Sequence, residues 1–120
     1  MASTDKHKTW NHEIRAILEQ RGDDIALHHE ITHYFYADTS DHARSLIERL
    51  SKTQHRVLVD GESREYDGYV QWLVLTKTVT VPSDSVLDEM TDECCKLCDG
   101  LGVEYDGWET DIVKLKPGHQ

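Results

Sequence analysis

The run Tyr69–Val81 (YVQWLVLTKTVTV) constrains the fold more than any other stretch of the chain. Read as a strand it is apolar on both faces, with Val70, Trp72 and Val74 on one and Leu73 and Leu75 on the other. A strand of that kind belongs in the interior of a sheet, with neighbours on both edges. Pro82 stops it, because proline has no N–H for the ladder. The rest of the chain must therefore supply the flanking strands and a cover.

The flanking elements are legible from their periods. Trp10, Ile14, Ile17 and Leu18 make a helical stripe over Trp10–Arg21, ended by Gly22-Asp23-Asp24. From Leu27 to Tyr36 the chain alternates as a strand, with Leu27, His29, Ile31, His33 and Phe35 on one face. Thr39-Ser40-Asp41 offers N-caps for a helix whose stripe is Ala43, Leu46, Ile47 and Leu50. A short strand follows over His55–Asp60, then a polar turn, GESREYDG, over Gly61–Gly68. After Pro82, Ser83 caps a helix that buries Leu87, Met90, Cys94, Leu97 or Cys98, and Leu101. Val103–Val113 is the last strand. In it Val103 and Tyr105 share one parity while Trp108, Thr110 and Ile112 share the other, so a one-residue bulge at Asp106-Gly107 is expected to bring all five to one face. EYDGY at 65–69 and EYDGW at 104–108 are similar, and turn chemistry explains the echo.

A helix followed by β-α-β-β-α-β reads as an α+β, ferredoxin-like sandwich with an extra N-terminal helix. Right-handed crossovers put both later helices on one face of the sheet. The first helix, a partner, or nothing covers the other face, and an exposed face of the third strand would invite a homodimer through the sheet. A chain of 120 residues supports one domain. The division expected is a flexible N-terminus over 1–8, the domain over 9–113 and a flexible tail over 114–120.

Charge narrows the function. The formal net charge is −10, from 23 acidic and 13 basic residues. Residues 83–111 carry ten of the acids against Lys96 alone. Such a surface repels phosphate, which argues against direct nucleic-acid binding and against anionic membranes, and it favours a basic partner. No stretch approaches the roughly 18 apolar residues of a membrane span. The N-terminal MASTDKHKTWNHE lacks the apolar core of a secretion signal, and three cysteines make no disulfide framework, so a cytoplasmic location is expected.

No catalytic constellation stands out. The chain has no nucleophile elbow, GxGxxG, P-loop or HExxH, and its acidic pairs have no partner base, so no enzyme and no cofactor are expected. Eight histidines and the CCxxC of Cys94, Cys95 and Cys98 leave one other class open. That is a small zinc-binding protein using His29, His33 and a cysteine, since neutral imidazole and thiolate are zinc ligands. Against it, Cys94 and Cys98 fit the buried helical stripe, and a thiol at a helix end has its pKa raised by the dipole. Tyr34, Tyr36, Tyr69 and Trp72 could stack on RNA bases, but in an unfavourable field.

The stretch GVEYDGWET (102–110) resembles the VEYDGW signature of the regulator of ribonuclease E activity B family. Ala26-Leu27 before a His-rich strand, and the acidic, Cys-bearing helix before the signature, are similar too, so that the resemblance spans roughly residues 20–112. The chain departs from that pattern in its basic KLKPGHQ terminus and in the second EYDG of its hairpin. The resemblance implies a ferredoxin-like, cytoplasmic protein inhibitor that binds ribonuclease E, a nuclease with an Arg-rich non-catalytic part, and does no chemistry on RNA itself. The reading is a non-catalytic acidic regulator whose partner is basic, ribonuclease E or a related nuclease. Its expected contact surface is Asp84, Asp88, Asp92 and Glu93 on the last helix with Asp106, Trp108 and Glu109 at the last strand, Trp108 being the aromatic anchor if it is exposed and a core residue under the bulge if it is not.

Overall fold

A computed structural model describes residues 2–22 and 27–111. Its elements are α1 (Ala2–Gln20), β1 (His29–Ala37), α2 (Ser40–Leu50), β2 (Arg56–Tyr66), β3 (Tyr69–Thr80), α3 (Asp84–Cys98) and β4 (Val103–Thr110). The expectations for Asp23-Asp24, for Ala26, for Ile112-Val113 and for the tail 114–120 fall outside the described residues.

The four strands form one sheet in the order β2-β3-β1-β4, and every neighbouring pair is antiparallel. With α2 between β1 and β2, and α3 between β3 and β4, this is the split β-α-β arrangement of the ferredoxin-like α+β sandwich. The doubly apolar β3 is an interior strand. Thr39 caps α2 by accepting from the His42 N–H at 3.1 Å, and Ser83 caps α3 by accepting from the Val86 N–H at 3.3 Å.

Three local findings refine the sequence reading. First, α1 begins at Ala2, ahead of the apolar stripe that reveals it, because the leading residues are polar and carry no period. Second, most of the expected turn at Gly61–Gly68 is strand. The strand β2 runs to Tyr66 with register shifts near Leu58 and Gly61, and only Asp67-Gly68 turns. Both turn residues have positive φ, 50° and 82°, the conformation a two-residue hairpin demands. Polar residues on an edge strand are solvated, so alternation gave no sign of them. Third, the β4 bulge is present. Tyr105 faces Phe35, Gly107 faces Tyr34, and Asp106 is the extra residue between them. Gly107 sits at φ 122°, a region that L side chains avoid. The bulge carries Val103, Tyr105, Trp108 and Thr110 to the face shared by Ala37, Phe35, His33 and Ile31.

That face is the core. Phe35, Ala37, Ala43, Leu46, Leu50, Val74, Cys94 and Tyr105 form one buried cluster beneath α2 and α3. Leu18, Ile31, Leu87, Met90 and Trp108 form a second, beneath α1 and α3. The first helix thus lies in the same layer as the other two, beside α3. It is fastened there by Asn11, a buried polar residue. The Asn11 amide donates to the Leu87 carbonyl at 3.2 Å and the Thr91 hydroxyl at 2.8 Å, and its oxygen accepts from the Trp108 indole at 2.6 Å. Trp10 meets Trp108 edge-on at 5.7 Å between ring centroids, and the Arg15 guanidinium donates to the Pro82 carbonyl at 2.9 Å.

The opposite face of the sheet has no described helix on it. Thr32, Tyr34 and Tyr36 of β1 point that way, opposite Lys77, Leu75 and Leu73 of β3. Leu73 is nonetheless only 4% exposed, so its neighbours' side chains shield it.

Substituting Asn11→Ala would strand the Trp108 indole N–H in a buried site and remove the bonds to Leu87 and Thr91 that hold α1 to α3. A loss of about 2 kcal/mol is expected. Urea titration should show a lowered midpoint with an unchanged slope.

Candidate functional site

The expected contact surface does not come together as one patch. Asp84, Asp88, Asp92 and Glu93 all lie on α3, but neighbours on both sides meet them. Asp84 is 3.2 Å from the His12 ring and 3.7 Å from the Arg15 guanidinium of α1, and Asp88 is 4.0 Å from His12. Towards α2, Glu89, Asp92 and Glu93 line a groove with Arg49, Lys52 and Lys96. Asp106 and Glu109 sit on the edge strand β4, both exposed. Glu109 lies opposite Thr32, on the helix-free face, and its carboxylate accepts a hydrogen bond from the Tyr34 hydroxyl. That bond, foremost, pushes Tyr34 up to about 12.

Trp108 must be withdrawn as an anchor. It is 3% exposed, packed on α1 with its indole N–H committed to Asn11. The bulge that the sequence showed is what turns it inward, and α1 closes over it.

The sequence singled out His33 and Cys94 but not His55, which completes their surroundings. A buried polar cluster joins β1, β3, β4 and α3. His33 shares hydrogen bonds with the Tyr105 hydroxyl at 3.0 Å and the Thr78 hydroxyl at 2.9 Å. His55 does so with the Thr76 hydroxyl at 2.7 Å and with Glu93 at 3.2 Å. The two rings are 4.8 Å apart, and the Cys94 sulfur lies 3.8 Å from His33 and 3.9 Å from His55. A cleft lined by Lys52, Thr53, Thr78, Glu89 and Glu93 opens above His55. The strand alternation already puts His33 on the face of Ile31 and Phe35, and a ring buried there has to find polar partners in the core.

The electrostatics of this cluster are those of a neutral network. Burial, then the neighbouring His55 ring, lowers His33 to about 3. Burial also lowers His55, against the pull of Glu93. Burial raises the Cys94 and Tyr105 pKa values, and takes Cys98 up to about 12. At neutral pH these thiols are protonated, which makes them poor nucleophiles and poor ligands. Desolvation rather than the helix dipole is the main cause.

The zinc reading is not supported. The ring of His29 bonds to the Leu27 carbonyl and both ring nitrogens of His33 are engaged by hydroxyls. Among the described residues no three His, Cys, Asp or Glu side chains are grouped to hold a metal ion. No described helix is long and apolar enough to cross a membrane.

Taken together, the fold and the site define a ferredoxin-like domain whose exposed chemistry is carboxylates and tyrosine hydroxyls. Residues 9–110 match the family model described as regulator of ribonuclease activity B, and the chain belongs to that family. The fit reaches from just ahead of Asn11 to the end of β4, so it includes the α1 fastening as well as the VEYDGW strand. No curated protein matches the chain. The family is one of regulators of ribonuclease activity.

The histidine network predicts a pH dependence. The unfolded chain takes up a proton on His33 near 6.5 that the folded chain refuses down to about 3. Stability should be full above pH 6.5 and fall through that window as the solution is acidified, by about 1.4 kcal/mol per pH unit from this residue. Urea unfolding at pH 7.5 and 5.0 measures it, and His33→Gln should remove this share of the slope.

Proposed function

We propose that this protein regulates a ribonuclease by binding it, in the cytoplasm, through its acidic surface, and does no chemistry on RNA itself. The nuclease segment it meets is basic, and ribonuclease E or a related enzyme is the partner chosen. The observation that carries the reading is the distribution of carboxylates along α3 and β4, exposed at Glu93, Asp106 and Glu109 and half-buried at Asp84, Asp88 and Asp92. Asp84, Asp88, Asp92 and Glu93 lie on the one, and Asp106 and Glu109 on the other, in a chain of the ribonuclease-regulator family. Carboxylates on the rim of an interface steer a basic partner and set the salt dependence of its capture. The protonated, buried Cys94 and the neutral His33 support a non-catalytic role, because neither offers a poised nucleophile or base.

The test is a cleavage assay with purified ribonuclease E and a fluorescent RNA substrate. Stoichiometric amounts of the chain should slow cleavage, and the effect should weaken as salt rises. The triple variant Asp88→Asn, Asp92→Asn, Glu93→Gln should need about tenfold more protein for the same inhibition, at a few tenths to 1 kcal/mol per charge removed. Glu93→Gln keeps an acceptor for His55, so the fold is spared. Unchanged cleavage at large excess, with no complex on a sizing column, would contradict the reading for this nuclease.

A further inference from the structure

We infer that the helix-free face of the sheet, at its β1–β4 edge, is an arginine-reading surface that takes an extended peptide with arginines at alternate positions. The inference rests on the proposed binding of a basic partner and specifies where and how that partner is read.

Two tyrosine–carboxylate pairs carry it. Tyr36 lies directly opposite Glu104 on β4, and Tyr34 is hydrogen-bonded to Glu109. Asp106, the extra residue of the bulge, stands exposed between the two glutamates along the strand. Unlike Asp84 and Asp88 of α3, Glu104, Asp106 and Glu109 make no ion pair among the described residues, although Arg64 borders the same hollow. Lys77 on the same face is already bound to Glu30 at 3.1 Å, and Arg64 to Glu62 at 3.2 Å. The unbalanced charge on this face therefore sits beside the two tyrosine rings. A hollow bordered by Tyr36, Arg64, Glu65, Gln71, Glu104 and Asp106 marks one end of it, and the Arg64 guanidinium there is paired with Glu62.

The chemistry selects arginine. A guanidinium stacks flat on an aromatic ring and bonds a carboxylate through two parallel N–H groups, so one side chain satisfies both members of each pair. A lysine ammonium offers one compact charge and stays hydrated. The spacing selects an extended backbone. Tyr34 and Tyr36 are two residues apart on one strand, about 6.8 Å, the distance between alternate side chains of an extended peptide. A helical segment would not match it. Glu109 keeps a second oxygen for the guanidinium while Tyr34 holds the first. Arginine is also the cation least in need of its hydration shell, which suits a face where Leu73 is already shielded.

The experiment titrates the intact protein with two synthetic peptides, (Arg-Ser)4 and (Lys-Ser)4, by fluorescence anisotropy. The arginine peptide should bind about tenfold more tightly, two ring stacks at about threefold each. Tyr36→Ser and Glu104→Gln should each weaken it by about threefold. Glu104→Gln changes one atom on an exposed side chain, so it separates loss of contact from loss of fold. Glu48→Gln, an equal charge change on α2, should leave binding unaltered. Equal affinity for the two peptides, no binding of either, or binding lost only in α3 variants would overturn the inference. So would dimerisation of the protein through this face with Tyr36 at its centre. The cleavage assay separates this from the broader reading. A Glu104→Gln protein that inhibits as well as wild type overturns the arginine face and leaves ribonuclease regulation standing. A wild-type protein that reads arginine but does not inhibit does the reverse.

Discussion

Asn11 decides where the first helix goes, and the exposed surface of the molecule follows from that. A ferredoxin-like sheet has two faces, and its two crossovers cover one of them. A third helix could have covered the other. Instead its one buried amide is matched to three groups, two on α3 and one on the indole of Trp108. Buried donors and acceptors are expensive to leave unmet, so this set of bonds holds α1 to a single place in the helix layer. Trp108 becomes core, and Tyr34 and Tyr36 stay at the surface.

Charge is then sorted by neighbours rather than by sequence position. The acids of α3 share their surroundings with His12 and Arg15 on one side and with Arg49 and Lys52 on the other. Those of β4 border tyrosines. The two sets attract a cation differently. Partly balanced acids on a helix contribute to long-range attraction that salt screens. Unbalanced acids beside aromatic rings add short-range, geometry-dependent contacts. A basic segment drawn in by the first and read by the second would meet the protein around its β4 edge. The histidine–cysteine cluster lies in the core beneath α3, with His33, His55 and Cys94 held neutral by burial.

Much of this was legible in the chain. The double-faced apolar run at Tyr69–Val81 demanded an interior strand, and β3 is one. The change of parity between Tyr105 and Trp108 demanded a bulge, and Asp106 is its extra residue. What was not legible depended on contacts between distant segments. Whether Trp108 is buried turns on where α1 lands, and that turns on Asn11, a polar residue in a helical stripe read through its apolar members. Residues 62–65 carry no apolar signal, because an edge strand can be solvated on both faces. His55 drew no attention at the start of a short strand, since its partners Thr76 and Glu93 come from 21 and 38 residues away. The acidic segment looked like one surface because it is continuous in sequence, yet α3 and β4 present their carboxylates to different sides.

The most direct measurement is an NMR titration of the isotope-labelled protein with the unlabelled ribonuclease. Amide shifts and line broadening should concentrate on Tyr34, Tyr36 and Glu104–Glu109, with weaker, salt-sensitive changes along α3. Perturbations confined to the groove between α2 and α3, with the β1–β4 edge silent, would contradict that placement.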